Sequence, residues 1–155
     1  MTDSSTIKSF VYKSNLNKRI LATIIDYGLF LLYFIAYLDY FGEHNQDGEQ
    51  TVSGLLALSI PIVWFLYFIG VESIFGATAG HLAMNLKVLS LNRRPIDFIQ
   101  STKRHMFDFF DFGLYGIPAI IAIKRTDKHQ RLGDLWARTI VVDMGDPTQT
   151  GGFDS

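Results

Sequence analysis

The chain of 155 residues has no cysteine, which excludes disulfide bonds and thiol catalysis. It also has no lysine or arginine from Ile20 to Leu86, although that stretch carries six acidic residues. Basic residues of membrane proteins stay on the cytoplasmic side, and segments carried across the bilayer lack them. The partition therefore predicts an integral membrane protein with a cytoplasmic N-terminus and the lipid bilayer as a partner.

Two further features are missing from the sequence. No short apolar segment with a cleavage site begins the chain, so the first span is expected to be an uncleaved anchor. No basic stripe lies on a soluble face, so nucleic-acid binding is not expected. Part of the chain should be in water, because the hydrophobic content of 48% is modest for a pure membrane bundle.

Two apolar runs are long enough to cross a hydrocarbon core of ~30 Å at ~1.5 Å per residue. We place these spans at about 19–41 and 52–71, separated by the acidic connector GEHNQDGEQT. Pro61 should kink the second span, because it lacks an amide proton. The domain organisation is then a flexible cytoplasmic arm (1–18), a membrane domain (19–143) and a disordered tail (144–155).

A third hydrophobic segment, 104–123, gives a conflicting topology signal, because each of its flanks carries five basic residues. We favour a re-entrant or interfacial helix pair that is broken near Gly113–Pro118, with both ends in the cytoplasm. A third full crossing is the alternative. An Asp97–Gln100 capping box should begin this region's helix, which would run to about Phe112.

Two short alternating segments, 86–91 and 139–143, are β-like and are expected to pair on the cytoplasmic side. The turn NRRP leads toward a third short strand. Such a small ribbon would have to lean on the helices. The predicted fold class is an all-α polytopic membrane protein with two long transmembrane helices, the Gly/Pro-broken third pair and this small cytoplasmic β-element.

Asp26 is the strongest functional signal, because a carboxylate ~10 Å inside a span must be paired, protonated or in contact with water. Arg19 lies seven residues earlier on the same helix stripe, and Arg104 and Asp111 repeat this spacing. Asp108 is on that second face too. These groups either form packing ion pairs across a helix contact, or Asp26 binds a cation, a proton or a cationic solute.

Other polar residues give weaker signals. Glu72 is interpreted as an interfacial carboxylate, and the Gly-rich segment around Thr78 is predicted to form a tight turn. Arg131 and Asp134 form either a surface salt bridge or, through Asp134, a helix cap or a clamp on the spans. Neither a metal set nor a Ser–His–Asp group is recognisable, so we expect no enzyme and no cofactor.

The combined pattern resembles the RDD family of bacterial membrane proteins. The matching residues are Arg19 and Asp26 in RILATIIDY, Asp134 in QRLGDLWARTIVV, and the segment ESIFGATAGHLAMNLKVLSL. The family often has a lysine where this chain has His81, which makes a pH-titrating charge possible there. The resemblance implies a bacterial inner-membrane location and ligand transport, with monovalent cation/proton exchange proposed for some members.

Two functions follow as hypotheses. The first is a small transporter or transporter subunit, in which Arg19, Asp26 and Asp134 carry the site. Secondary candidates are Glu72, His81, Arg104, Asp108, Asp111 and Arg131. Two spans and a broken pair cannot easily enclose a pathway, so a homo-oligomer or a larger membrane complex is expected. The alternative is a non-transporting scaffold whose Arg/Asp groups fix helix packing.

Overall fold

A computed structural model describes residues 10–44, 48–108, 111, 114 and 116–150. Two long helices dominate it: α1, Leu16–Phe41, and α2, Gly54–Phe75. Both are long and apolar enough to cross a membrane, and only 11% of an 18-residue apolar stretch of each is buried inside the protein. Large apolar side chains such as Leu32 and Leu55 are exposed on their outer faces, which fits contact with lipid.

The helix boundaries differ slightly from the predicted spans. Helix α1 begins at Leu16 rather than residue 19, after Asn15 in the left-handed conformation. Helix α2 is interrupted at Leu58, three residues before Pro61, and contains a π-helical segment, Phe65–Val71. It continues to Phe75. Gly76 follows in the left-handed conformation, at φ 70°, and its amide donates a hydrogen bond to the Glu72 carbonyl, which ends the helix there.

The connector between α1 and α2 contains a feature that the sequence analysis did not predict. Two residues, Glu43–His44 (β1), pair antiparallel with Gln50–Thr51 (β2). The fold is thus mostly helical, with two small β-elements rather than one.

The predicted cytoplasmic β-element forms as an antiparallel ribbon of β3, Leu86–Ser90, and β4, Thr139–Asp143. Its register pairs Val88 with Val141. The expected third strand is reduced to a single bridge between Leu89 and Pro95.

Each face of this ribbon has its own apolar cluster, as the two-residue period of strands requires. Leu86, Val88 and Val141 pack with Ala22 of α1 and with Ile96. The opposite face consists of Leu89, Ile140 and Val142 and is covered by Phe10, Tyr12 and Leu91.

Shorter helices follow α2 in the described chain: α3, Ala79–Ala83; α4, Phe98–Met106; α5, Ile117–Arg125; and α6, Leu132–Ala137. The Asp97–Gln100 capping box is present. Helix α4 ends at Met106, earlier than predicted, and Phe112 and Gly113 lie outside the described residues. The segment 104–123 is therefore not one continuous helix in the described residues, which contain two membrane-length helices.

The described parts of the two terminal segments, residues 10–18 and 144–150, contact each other, whereas residues 1–9 and 151–155 of the predicted flexible arm and disordered tail lie outside the described residues. Residues 10–15 contact the last helix, α7, Pro147–Thr150, where the Val11 amide bonds the Thr148 carbonyl at 3.0 Å. The Asn15 amide group donates to Gln149, which is buried. Apolar residues at 10 and 12 and a buried glutamine at 149 explain this order, because each gains a packing partner.

Candidate functional site

Asp134 lies at the centre of a buried group of charges. It is 0% exposed, and its side chain accepts a hydrogen bond from the Arg131 amide at the start of α6. Arg19 from α1 lies 2.6 Å from one carboxylate oxygen, and Arg104 from α4 pairs with the other. The backbone comes this close only because residue 133 is glycine, where a Cβ would meet the main chain of Arg104. Asp134 is therefore both a helix cap and a clamp between three segments.

Glu72 is fully buried, which corrects its interpretation as an interfacial carboxylate. Arg104 binds it with two nitrogens, Nε at 3.0 Å and Nη2 at 3.3 Å. The Ser101 hydroxyl donates to it at 3.1 Å, and His105 Nε2 lies 3.3 Å away. The carboxylate therefore faces the protein interior.

Asp108 and Asp111 share the guanidinium of Arg131, but unequally. Arg131 Nη1 is 2.7 Å from Asp108 and 3.9 Å from Asp111. Asp108 also contacts His105 Nδ1 at 2.6 Å. Neither carboxylate oxygen of Asp111 has a hydrogen-bond partner among the residues that the structure describes, although both are buried.

Asp26 is held differently from the other buried carboxylates. Tyr67 and the Gly80 amide each donate to Oδ1 at 2.7 Å, and Thr78 donates to Oδ2 at 2.6 Å. Within the described part of the chain, no arginine or lysine forms an ion pair with it. The amide of residue 80 can approach because it belongs to glycine, whose missing Cβ leaves room for the Asp26 carboxyl.

His81 is coupled to Asp26 through Thr78. Its Nδ1 is 2.8 Å from the Thr78 hydroxyl and 3.6 Å from Asp26 Oδ2. Since Thr78 gives its single proton to Asp26, its oxygen accepts from His81, which therefore carries a proton on Nδ1. Burial lowers the pKa of His81 against the opposing effect of the nearby carboxylates, so the ring is neutral at neutral pH.

A cavity of about 450 Å³ lies beside these groups. Its apolar wall comes from α1 and α5, and its polar wall includes ionisable side chains from several segments. The ionisable groups in its lining are Arg19, Asp26, His81, Arg104, His105, Asp108, Asp111 and Arg131. The described residues contain no group of three metal-ligating side chains that could hold a metal ion.

The structure brings the nine predicted site residues into one region, but not with the predicted pairings. Arg19 and Asp26 line the same cavity, but Arg19 pairs with Asp134, and Arg104 pairs with Glu72 and Asp134 rather than with Asp26 across a helix contact. Sequence reasoning missed Tyr67 and Ser101, because hydroxyls on an apolar helix or a short polar helix give no distinctive pattern.

Acid should weaken the Asp134 cluster. Burial alone would raise the pKa of Asp134, but the guanidinium groups of Arg104 and Arg19 outweigh it and hold the pKa well below its ordinary value. An unfolded aspartate has a pKa of about 3.9. The stabilisation is therefore complete above about pH 5 and is lost as the pH falls toward the folded-state pKa.

We expect the free energy of unfolding in detergent to fall between about pH 5 and about pH 3, and to fall less in Asp134→Asn. Denaturant titrations at several pH values would measure both slopes. Equal slopes for the native protein and the variant would contradict this assignment of the acid-sensitive group.

These features define the protein as a membrane protein in which two apolar helices carry a buried charge cluster at one end. The sequence model described as the RDD family matches residues 13–138, so the chain belongs to the RDD family. Neither a curated protein nor a solved structure matches the chain.

Proposed function

We propose that the protein is a small transporter of the bacterial inner membrane, or a subunit of one, in which Asp26 binds a monovalent cation and a proton in turn. One observation carries this proposal: Asp26 lines the cavity from a membrane helix and has only neutral donors and His81 around it. By contrast, an arginine lies within 3.0 Å of Glu72, of Asp108 and of Asp134.

The presence or absence of an arginine partner distinguishes carboxylates that hold the structure together from Asp26, which is available to bind a proton or a cation. A buried carboxylate that is paired with arginine is already neutralised and is costly to disturb. Asp26 keeps its charge uncompensated, so a proton or a monovalent cation can each neutralise it, but not both at once. That mutual exclusion is the basis of exchange.

The hydroxyls of Tyr67 and Thr78 can stabilise Asp26 both as a free carboxylate and with a cation bound beside it. Each hydroxyl donates to the ionised carboxylate, and each also has lone pairs that can face a cation. Hard cations take oxygen ligands, which carboxylate and hydroxyl groups supply. Through Thr78 the site also contacts His81, whose neutral ring can accept a further proton.

The position of the charges also bears on orientation and assembly. The distribution of basic residues supports a cytoplasmic position for the start of α1 and the Asp134 cluster. Two largely lipid-exposed helices do not enclose a path across the bilayer. We therefore propose that the transporting unit is a homo-oligomer or a larger membrane complex.

Replacing Asp26 with asparagine should abolish exchange, because the neutral amide is not protonated at neutral pH and has no negative charge for a proton and a cation to neutralise in turn. Internal pH of proteoliposomes would be followed while Na⁺, K⁺ or Li⁺ gradients are imposed. Asp39→Asn is the matched control, since Asp39 is exposed in the same helix and should keep native flux. Unchanged flux in Asp26→Asn would place the site elsewhere.

A second candidate function is a non-transporting scaffold, which the convergence of Arg19, Arg104 and Arg131 on Asp134 favours. Such a buried network fixes how helices pack without moving any solute. It predicts no cation-dependent proton movement in the native protein and a stoichiometric protein partner after gentle solubilisation. Robust flux from the purified chain alone would exclude it.

A further inference from the structure

The cavity has two unlike walls. Isoleucines 20 and 24 of α1 and Ala119, Ile120 and Ile123 of α5 form an apolar side, and the charged cluster forms the other. Its volume of about 450 Å³ falls within the range of about 300–1,000 Å³ that small-molecule sites occupy. A ligand that fits it needs an apolar body and one polar end.

Asp111 indicates the chemistry of that polar end. Its side chain lines the cavity, the residue is 5% exposed, and neither oxygen accepts a hydrogen bond from the described residues. Its nearest cation, Arg131, is 3.9 Å away and is held more tightly by Asp108. Buried polar groups in native structures normally have partners, so an unsatisfied carboxylate that lines a cavity marks a ligand position.

The partner that the Asp111 carboxylate lacks is a cation. Among the described ion pairs, Arg19 is closest to Asp134, Arg104 binds Glu72 with two nitrogens, and Arg131 is closest to Asp108. His105 contacts Asp108 and Glu72 rather than Asp111. Asp26 also lacks an ion pair with arginine or lysine among the described residues, but its oxygens accept hydrogen bonds from Tyr67, Thr78 and the Gly80 amide, whereas those of Asp111 accept none.

We propose that this cavity binds an amphiphilic ammonium ion, with the ammonium group at Asp111 and the alkyl or aryl body against Ile20, Ile24 and Ile120. An ammonium can donate hydrogen bonds to both free oxygens of Asp111. A metal ion fits less well, because the described residues contain no group of three ligands, and it would leave the apolar wall unused. The proposal concerns binding and does not depend on transport through Asp26.

The test is binding of radiolabelled phenethylammonium to the purified protein in nanodiscs, measured by scintillation proximity. We expect saturable binding that unlabelled octylammonium displaces and that phenylethanol and phenylpropionate do not. Asp111→Asn should weaken binding by about tenfold or more, as loss of a buried charge partner does. Asp127→Asn, at an exposed turn position, is the matched control and should bind like the native protein.

A second variant tests the space in the cavity independently of the charge at Asp111. Ala119→Phe keeps Asp111 but fills the apolar wall, and it should also weaken phenethylammonium binding. Thermal unfolding of each variant would verify its fold. Absence of saturable binding to the native protein, equal binding by folded Asp111→Asn, or equal competition by phenylpropionate would overturn the proposal. None of these outcomes bears on proton flux through Asp26, which the proteoliposome assay tests separately.

The ammonium can arrive on a free amine or on the headgroup of an aminolipid. Nanodiscs of phosphatidylglycerol with and without phosphatidylethanolamine distinguish the two sources. Weaker phenethylammonium binding in the presence of phosphatidylethanolamine supports a lipid occupant of the Asp111 site. Unchanged binding supports a soluble amine at the same site.

Discussion

Replacing Asp134 with asparagine is expected to lower the free energy of unfolding by about 3–5 kcal/mol, the usual cost of removing one partner from a buried ion pair. The carboxylate of Asp134 is 0% exposed and contacts the guanidinium groups of Arg19, Arg104 and Arg131. With an amide in its place, those positive charges remain close together around a position that is 0% exposed. Denaturant titration in mixed micelles would measure the loss.

Two companion variants make this result specific. Asp127→Asn removes the same charge from an exposed turn and should change stability by no more than about 0.5 kcal/mol. Adding Arg19→Met to Asp134→Asn should recover part of the loss, because it removes one of the uncompensated charges. Equal stability of Asp134→Asn and Asp127→Asn would show that the Asp134 cluster does not hold the helices together.

Replacing Gly80 with alanine is expected to cost about 3 kcal/mol or more, from overpacking together with loss of a hydrogen bond to a charged group. A Cβ at this position would meet the main-chain oxygen of Ala22 and would lie 2.8 Å from the Asp26 carboxyl. Helix α3 would have to move away from α1, and the amide of residue 80 could no longer reach Asp26 Oδ1.

Gly28→Ala is the matched control for Gly80→Ala. It lies in the same first helix as Asp26, and a Cβ there has no neighbour within 4 Å. Because alanine favours a helix over glycine by about 0.5–1 kcal/mol, this control should be neutral or slightly stabilising. Stability and proton flux would be measured for both variants. A native-like Gly80→Ala in both measurements would show that the close approach to Asp26 is not required.

Much of the fold could be predicted from local patterns. The absence of bases from 20 to 86 and the lengths of the apolar runs predicted both membrane helices, and strand alternation predicted the pairing of β3 with β4. The capping box at Asp97 was also visible, since it involves residues three apart. Each of these signals depends on neighbours in sequence.

The pairings within the charge cluster could not be predicted in the same way. Arg104 is 32 residues from Glu72 and 30 from Asp134, so its choice of partner depends on how α2, α4 and α6 pack. The seven-residue spacing in each helix instead suggested that the Arg19/Asp26 stripe faces the Arg104/Asp111 stripe, with ion pairs across that contact. Arg19 turns toward Asp134 and the His129 carbonyl instead, and Arg104 pairs with Glu72 and Asp134. A helical stripe shows which residues share a face, but not which partner that face meets.

The contact between the two terminal segments limits how many times the chain can cross the membrane between them. Lys13 pairs with Asp146 at 2.5 Å and Lys18 pairs with Asp143, so if α1 and α2 cross a bilayer, the two segments that carry these pairs lie on the same side of it. The number of crossings between them must then be even. If α1 and α2 are two crossings, segment 104–123 adds none or two, which favours a re-entrant pair over a third crossing. A tag beside Lys124 should therefore react from the same side as one beside Lys13.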